Sequence, residues 1–390
     1  MTTKLRFGTY AQVFPPIQQS LGAAQLAEKQ GWDFIDFPDQ MASTHAEGMI
    51  PTTTTDSTAP VITGGISSTW YGPFPLMSAS AMVTRSIELQ CAVIDPLRRS
   101  PSVFAQEAVT VDHICEGRAT WCIGSGEAKQ FEPFGEKRSQ PIARLREAVR
   151  VMNALWDSDG KPVSRDSDFW PLRDAIFPLP LRDGKHKPKI LMVGGGDDTY
   201  RLAGELCDGW YTFLPGGGLD ETRQAISKVK QAAADNGRDP ETLRFGALLL
   251  MALAENDDLG WHYARTPQAA WASLYAAGVQ SGAVWKAWGY EHPFGDGTSW
   301  PKNMAVNRLP DAVVNGLPDL VPHEVTNRSI FWGGPDRVAE TCLPYLDAGI
   351  TEVTFLSFVP WADTRYSAHF AAHASTLITH LGGKPLNLDV

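Results

Sequence analysis

The chain has 390 residues, 43% hydrophobic and 20% charged, which excludes a disordered polymer and suits one large α/β domain. Its 34 Lys and Arg against 44 Asp and Glu give a formal net charge of −10, and the absence of a basic cluster argues against nucleic acid as the main partner. The 13 Trp, beside 9 Tyr and 17 Phe, are an excess that needs a location.

Nothing apolar follows Lys4 and Arg6 in the manner of a signal peptide, and no apolar run reaches the roughly 20 residues of a membrane-spanning helix. A cytoplasmic protein with no membrane partner is expected. The cysteines (Cys91, Cys115, Cys122, Cys207, Cys342) are scattered and show no C-x-x-C or zinc spacing. Buried free thiols and no metal site are the expectation.

In chain order, residues 5–8 form a short strand, and Ser20 precedes a helical stretch through Leu21, Ala24 and Ala27 that stops at Gly31. Residues 33–37 alternate polar and apolar as a strand does, and a loop rich in Thr, Pro and Gly runs from Pro38 to about Pro75. Residues 86–94 are a buried strand. Phe104, Ala108, Val111 and Cys115 recur at helical spacing up to Gly117, and 119–123 is the next strand. Pro141 opens a helix whose Ile142, Leu145, Ala148, Val149, Met152 and Leu155 make one apolar stripe. Strands at 189–193, 210–213, 243–251 and 353–358 then alternate with helices at 198–206, 219–234 and 335–346, and a terminal helix covers 364–381.

Eight strands separated by helices predict a parallel sheet, and in this length a closed (β/α)8 TIM barrel, with an open doubly wound sheet as the alternative. We read residues 1–390 as a single domain. Two insertions, about 38–75 and 255–329, exceed ordinary loop lengths and are expected to form lids at the catalytic face.

In such a barrel, chemistry sits where strands end. The second strand ends in Asp39-Gln40, the third in Cys91 to Asp95, the fourth in Gly124-Ser125-Gly126-Glu127, and the fifth in Gly194-Gly195-Gly196 followed by Asp197, Asp198 and Thr199. Asp39 and Glu127 are carboxylates that can act as acid or base, or hydrogen-bond a cofactor ring; a solvated loop acid is the plainer reading. The glycine run stands between a strand and a helix, where free amides favour an anion such as phosphate, though an ordinary turn has the same composition. Asp197 and Asp198 would repel that anion unless they turn away, and Thr199 could add a hydroxyl. Gly124 and Gly126 do not make a dinucleotide fingerprint, because Lys129 holds the third glycine position and no helix is expected before Pro141. His113, His369, His373 and His380 lie in helices, where surface or packing roles are expected. His292 differs, lying in the second insertion beside Trp285, Trp288 and Trp300. Those indoles, with Trp70 in the first insertion, suggest an aromatic-walled substrate pocket.

Several blocks follow one another in a recognisable order: Arg98 to Gln106, Gly117-Arg118, Gly124 to Glu127, Glu132-Pro133-Phe134-Gly135, and Arg144 to Ser158. Together they resemble the bacterial-luciferase-like superfamily of (β/α)8 flavin and deazaflavin enzymes, and within it the branch that includes mycobacterial phthiodiolone ketoreductases and sugar-phosphate dehydrogenases. The resemblance implies that Asp39 hydrogen-bonds the cofactor ring and that Glu127 exchanges a proton beside the substrate. It also implies that Gly194, Gly195 and Gly196 hold the cofactor phosphate, and that Ser125, Gly126 and Thr199 lie nearby. Cys91-Ala92 occupies the place of a non-prolyl cis peptide bulge behind the ring. Where the deazaflavin dehydrogenases carry Asp-His, this chain has Asp39-Gln40. Gln40 hydrogen-bonds but cannot titrate, so Glu127 would have to serve alone.

The resemblance leaves two chemistries: hydride transfer between the deazaflavin coenzyme F420 and a small apolar or aromatic alcohol, ketone or unsaturated compound, or an oxygen-using monooxygenase fed with reduced FMN by a separate flavin reductase. A non-catalytic cofactor-binding barrel is a third and weaker reading. A homodimer is implied by the same resemblance.

Overall fold

The computed structural model describes residues 4–41, 70–275, 281–304, 313, 316 and 318–390. Its centre is a ring of eight strands: β1 (Arg6–Tyr10), β2 (Phe34–Phe37), β3 (Glu88–Ile94), β4 (Ala119–Ile123), β5 (Lys189–Val193), β6 (Gly209–Leu214), β7 (Arg244–Leu253) and β8 (Glu352–Ser357). Each pairs in parallel with the next, and β8 closes on β1 through Arg6↔Glu352 to Thr9↔Phe355. The expected TIM barrel is therefore the architecture, built from the eight expected strands.

Strand side chains alternate between two cores. Phe7, Ile35, Leu89, Trp121, Ile190 and Phe355 face outward and pack under the surrounding helices, including Pro101–Ile114 and Pro141–Trp156. Ala92, Cys122, Leu191, Tyr211, Leu248 and Leu356 belong to a separate inner cluster. Gly8 is required in the inner layer, because a Cβ there would lie 2.2 Å from the ring of Phe34. All five cysteines are free and buried, as expected.

Below the apolar inner layer the barrel floor is charged. Arg6 bridges Glu88 at 2.8 Å and Glu352 at 3.2 Å, while Arg244 reaches Glu88 at 2.7 Å and also pairs with Glu352. Thr120 donates to Glu88 at 2.6 Å and accepts from Arg244 at 2.9 Å. One layer higher, fully buried Asp36 accepts from Tyr211 and Thr354, each at 2.9 Å, and from Gln90 at 3.4 Å. Burial pushes the Asp36 carboxyl up to about 7 against the pull of those donors.

Five elements lie outside the expected order. Val163–Arg165 and Leu172–Ala175 form a short antiparallel hairpin, and Phe331–Gly333 pairs with the far end of β7. Strands of three or four residues are too short to display a period. Helix Pro73–Val83 starts where the first long loop was expected to end, and helix Ala128–Phe131 begins directly after Glu127, well before Pro141.

Residues 42–69 of the first insertion lie outside the described residues. Trp70, at its end, packs edge-on against Phe14 with centroids 5.1 Å apart. The second insertion carries helices Asp257–Tyr263, Pro267–Tyr275, Gly282–Ala287, Trp300–Asn303 and His323–Ser329. It has its own apolar centre of Trp271, Leu274, Trp285, Trp300, Met304 and Val325.

Among the described residues no helix is long and apolar enough to cross a membrane, and no cluster of His, Cys, Asp and Glu could hold a metal ion.

Candidate active site

The ends of β2, β3 and β4 bring one group of charged side chains together. Glu127 follows β4 and sits at the N-terminal edge of helix Ala128–Phe131, with its side chain 30% exposed. Two residues on, Lys129 turns the other way and is 0% exposed. Its ammonium stands 3.3 Å from Glu127 Oε2 and donates to Gln40 Oε1 at 2.7 Å. Gln130 donates to the same Gln40 oxygen, and its own Oε1 accepts from the Met41 amide at 2.9 Å. Burial pushes the Lys129 ammonium below the ordinary lysine range, and the Glu127 charge opposes that shift. Gln40 and Glu127 are thus joined through a lysine that the sequence analysis read only as standing in a glycine position.

Asp39 is 5% exposed and accepts from Arg98 Nη2 at 2.6 Å and from Arg99 at 2.8 and 3.2 Å. Arg98 also pairs with Asp95, whose carboxylate caps the Leu97 and Arg98 amides at 3.1 and 2.9 Å. Both Asp39 oxygens are engaged, so the carboxylate anchors two arginines. The arginines belong to the block from Arg98 to Gln106, but their partner lies about 60 positions earlier in the chain, and sequence reasoning did not pair them.

The bulge sits one bond beyond its expected place. The non-prolyl cis peptide is Ala92–Val93, and the β3–β4 register shifts between Ala92 and Ile94. Ala92 belongs to the inner cluster, whereas Cys91 is fully buried in the outer one and packs under the helices. Gly124 accommodates the bulge, since a Cβ there would lie 2.9 Å from Val93. Ser125 and Gly126 are held by Arg138, which donates to Ser125 Oγ at 3.0 Å and to the Gly126 carbonyl at 2.8 Å.

On the neighbouring strand, the glycine run after β5 makes a tight turn into helix Asp197–Leu206. Gly194 (φ 127°) and Gly196 (φ 93°) take backbone angles that side chains disfavour, and Trp210 pins the turn by donating to the Gly194 carbonyl at 2.8 Å. Asp197 and Asp198 do turn away: Asp197 pairs with Lys228 at 2.7 Å and Asp198 with Arg201. Gly195 and Gly196 are exposed beside first-turn amides that have no intrahelical acceptor. This turn fits an anionic group such as a phosphate. Thr199, 3% exposed, lies beneath Gly194, so the turn presents backbone rather than the expected hydroxyl.

The aromatic residues of the second insertion do not form a wall. Trp285 is fully buried, and His292 packs against it with ring centroids 4.7 Å apart while its Nδ1 accepts from the Phe294 amide at 3.2 Å. Burial pushes the His292 imidazole below its ordinary value. Both are interior residues of the insertion rather than part of an open surface. Trp288, half-buried, lies under Arg328 at 5.6 Å. A cavity of about 600 Å³ instead opens beyond the ends of β7 and β8, lined by Glu255, Arg365, Tyr366, His369 and His373.

With this geometry in hand, comparison with known proteins is informative. Residues 2–352 match the family model described as luciferase-like monooxygenase. The chain belongs to that family. It is an enzyme of the luciferase-like oxidoreductase superfamily, as its sequence blocks suggested. A phthiodiolone/phenolphthiodiolone dimycocerosates ketoreductase from Mycobacterium tuberculosis is 31% identical over 288 residues, 74% of each chain. An F420-dependent glucose-6-phosphate dehydrogenase from Nocardia farcinica is 27% identical over 362 residues, 90% of this luciferase-like chain and 91% of that one. A solved F420-dependent secondary alcohol dehydrogenase, in complex with an F420-acetone adduct, shares the fold with a TM-score of 0.68 at 20% identity, over 93% and 96% of the two chains.

Proposed function

We propose that this protein is a hydride-transfer oxidoreductase that uses the deazaflavin coenzyme F420 on a small alcohol, ketone or unsaturated compound. The observation that carries the proposal is the half-open Glu127 carboxylate, held against the buried Lys129 ammonium just after β4, with a glycine turn shaped for an anion just after adjacent β5. The ketoreductase and F420-dependent relatives support the same chemistry.

When bound, the coenzyme supplies a ring carbon that takes up or returns hydride. The chain supplies the rest. Glu127 accepts the hydroxyl proton of an alcohol as its C–H hydrogen leaves with the bonding pair, and returns that proton to the oxygen in the reverse direction. Gln40 cannot titrate and orients Lys129. The amides after Gly194 hold the coenzyme phosphate, and the Ala92–Val93 bulge backs the mouth of the barrel. Arg98 and Arg99, locked on Asp39, keep that rim rigid. We read the enzyme as a homodimer, a state that light scattering would report.

The alternative, a monooxygenase using reduced FMN, draws on the glutamine in place of the histidine and on the tryptophan-rich insertions, but Trp271, Trp285 and Trp300 pack into the centre of the second insertion. Absorbance titration of the purified protein tests the choice. Deazaflavin coenzyme should bind at least about tenfold more tightly than FMN, a difference of about 1.4 kcal/mol. The reverse preference, accompanied by oxygen uptake, would sink the proposal.

A further inference from the structure

The cavity of about 600 Å³ beyond the ends of β7 and β8 has a volume ordinary for a small-molecule site, and the reaction proposed above does not use it. In the closed ring β8 stands four strands from β4 in either direction, so this cavity lies across the mouth from Glu127. Glu255 enters it just after β7. Arg365, Tyr366 and His369 come from the short turn Thr364–His369, and His373 from the helix Phe370–His380 that follows.

A row of rings runs along this segment. Tyr366 stands edge-on to Tyr263 with centroids 5.5 Å apart and lies tilted against His369 at 5.9 Å. His369 in turn stacks on His373 at 6.4 Å, their planes 24° apart. Burial and the neighbouring His369 pull the His373 imidazole below its ordinary value, against the Glu255 charge, so at neutral pH this ring offers an uncharged face.

The charges in the lining divide unevenly. Arg365 donates to Asp363 through Nε at 2.9 Å and through Nη2 at 2.6 Å, and Asp363 also accepts from Tyr263 at 3.3 Å. The guanidinium charge is therefore met inside the wall. That leaves the exposed Glu255 carboxylate as the lining charge without an ion-pair partner among the described residues.

We propose that this cavity is a binding site for an organic cation, an alkylammonium head group set between the Glu255 carboxylate and the ring faces of Tyr366, His369 and His373. Aromatic faces attract a cation within about 6 Å of the ring centre, and a half-exposed carboxylate adds a modest Coulomb attraction. A neutral molecule of the same shape gains only the contact. An anion meets both Glu255 and the negative faces of the rings. The inference does not depend on which coenzyme the barrel uses.

The test is isothermal titration of the full chain at neutral pH with choline and with its uncharged isostere, in which carbon replaces the quaternary nitrogen. Choline should bind at least about tenfold more tightly than the isostere. Glu255→Gln should weaken choline by about fivefold and leave the isostere unchanged. Tyr366→Leu and His369→Leu each remove one ring face and should weaken choline by about threefold. Should Tyr366→Leu fail to fold, the exposed His369 position carries that arm alone. Glu127→Gln should leave choline binding as it is, because the two sites stand on opposite sides of the mouth. Failure of choline to bind, equal binding of the isostere, or choline affinity that survives Glu255→Gln overturns the inference. So does competition by inorganic phosphate, which would make the cavity an anion site, or loss of choline binding in Glu127→Gln, which would move the cation to the mouth.

Discussion

At the floor of the barrel, Arg6 and Arg244 each meet Glu88 and Glu352, so two cations and two anions close on themselves. At the mouth, Arg98, Arg99, Lys129 and Arg138 stand among Asp39, Asp95 and Glu127, four cations against three carboxylates. Glu127 is open to solvent there, and an exposed glycine turn lies on the next strand. The comparison separates two uses of buried charge. Among the described residues, the floor is a balanced ring that serves the fold, whereas the mouth is an unbalanced cluster with one half-open carboxylate, the arrangement on which the proposed function rests.

The largest expected effect breaks the floor. Glu352→Ala leaves two half-buried guanidinium groups sharing Glu88 and removes a buried carboxylate partner from both, which should cost about 3 kcal/mol in urea unfolding. A loss below about 1 kcal/mol would show that the ring is not structural. Glu127→Gln at the mouth should lower turnover by about 100-fold or more, while the partial exposure of Glu127 keeps the cost of leaving Lys129 without its carboxylate below that of the floor variant. Equal damage to folding and turnover would erase the distinction between the two ends.

Acid titration of stability sharpens it further. Burial raises the Glu88 carboxyl, but Arg244 and Arg6 more than reverse this and hold it at about 2, against 4.5 as the ordinary value. The contribution is therefore complete above pH 4.5 and lost as pH falls toward 2, an effect of about 3 kcal/mol that Glu88→Gln should flatten. Asp36, one layer up, has the opposite sign. Its carboxyl is raised to about 7 from 3.8, so its contribution is complete below pH 3.8 and is lost as pH rises through 7. Asp36→Asn should remove that neutral-side slope in a series of urea melts, and a persistent slope would assign it to another group. The smallest effect is at the rim: Gly194→Ala, at φ 127°, should weaken coenzyme binding by about tenfold and stability by about 1 kcal/mol.

Much of the fold was legible because regular elements advertise their period. The eight barrel strands were each expected within a few residues, since a parallel strand covered on its outer face is a run of apolar residues bounded by turn signals. The glycine turn after β5 and Glu127 after β4 were legible as well, because strand ends are where a barrel exposes side chains. The hairpin at Val163–Arg165 and Leu172–Ala175 was not, being too short for a period to show. The tryptophans misled in a specific way: their position in an insertion was plain, but whether an indole faces a pocket or a neighbouring indole depends on how the insertion folds on itself.

The sequence alone determined the eight strands and their order, the carboxylate at the end of β4 and the family resemblance, while closure of the sheet was seen only in the pairing of β8 with β1. Those follow from local pattern, in which each residue's neighbours in the chain settle its place. Tertiary structure decided that Asp39 is bound by Arg98 and Arg99, and that Lys129 reaches Gln40 across 89 positions. It also decided that Trp285 and His292 are interior. Pairing of charges and burial of rings depend on distances between segments that only the closed barrel brings together, and no local period encodes them.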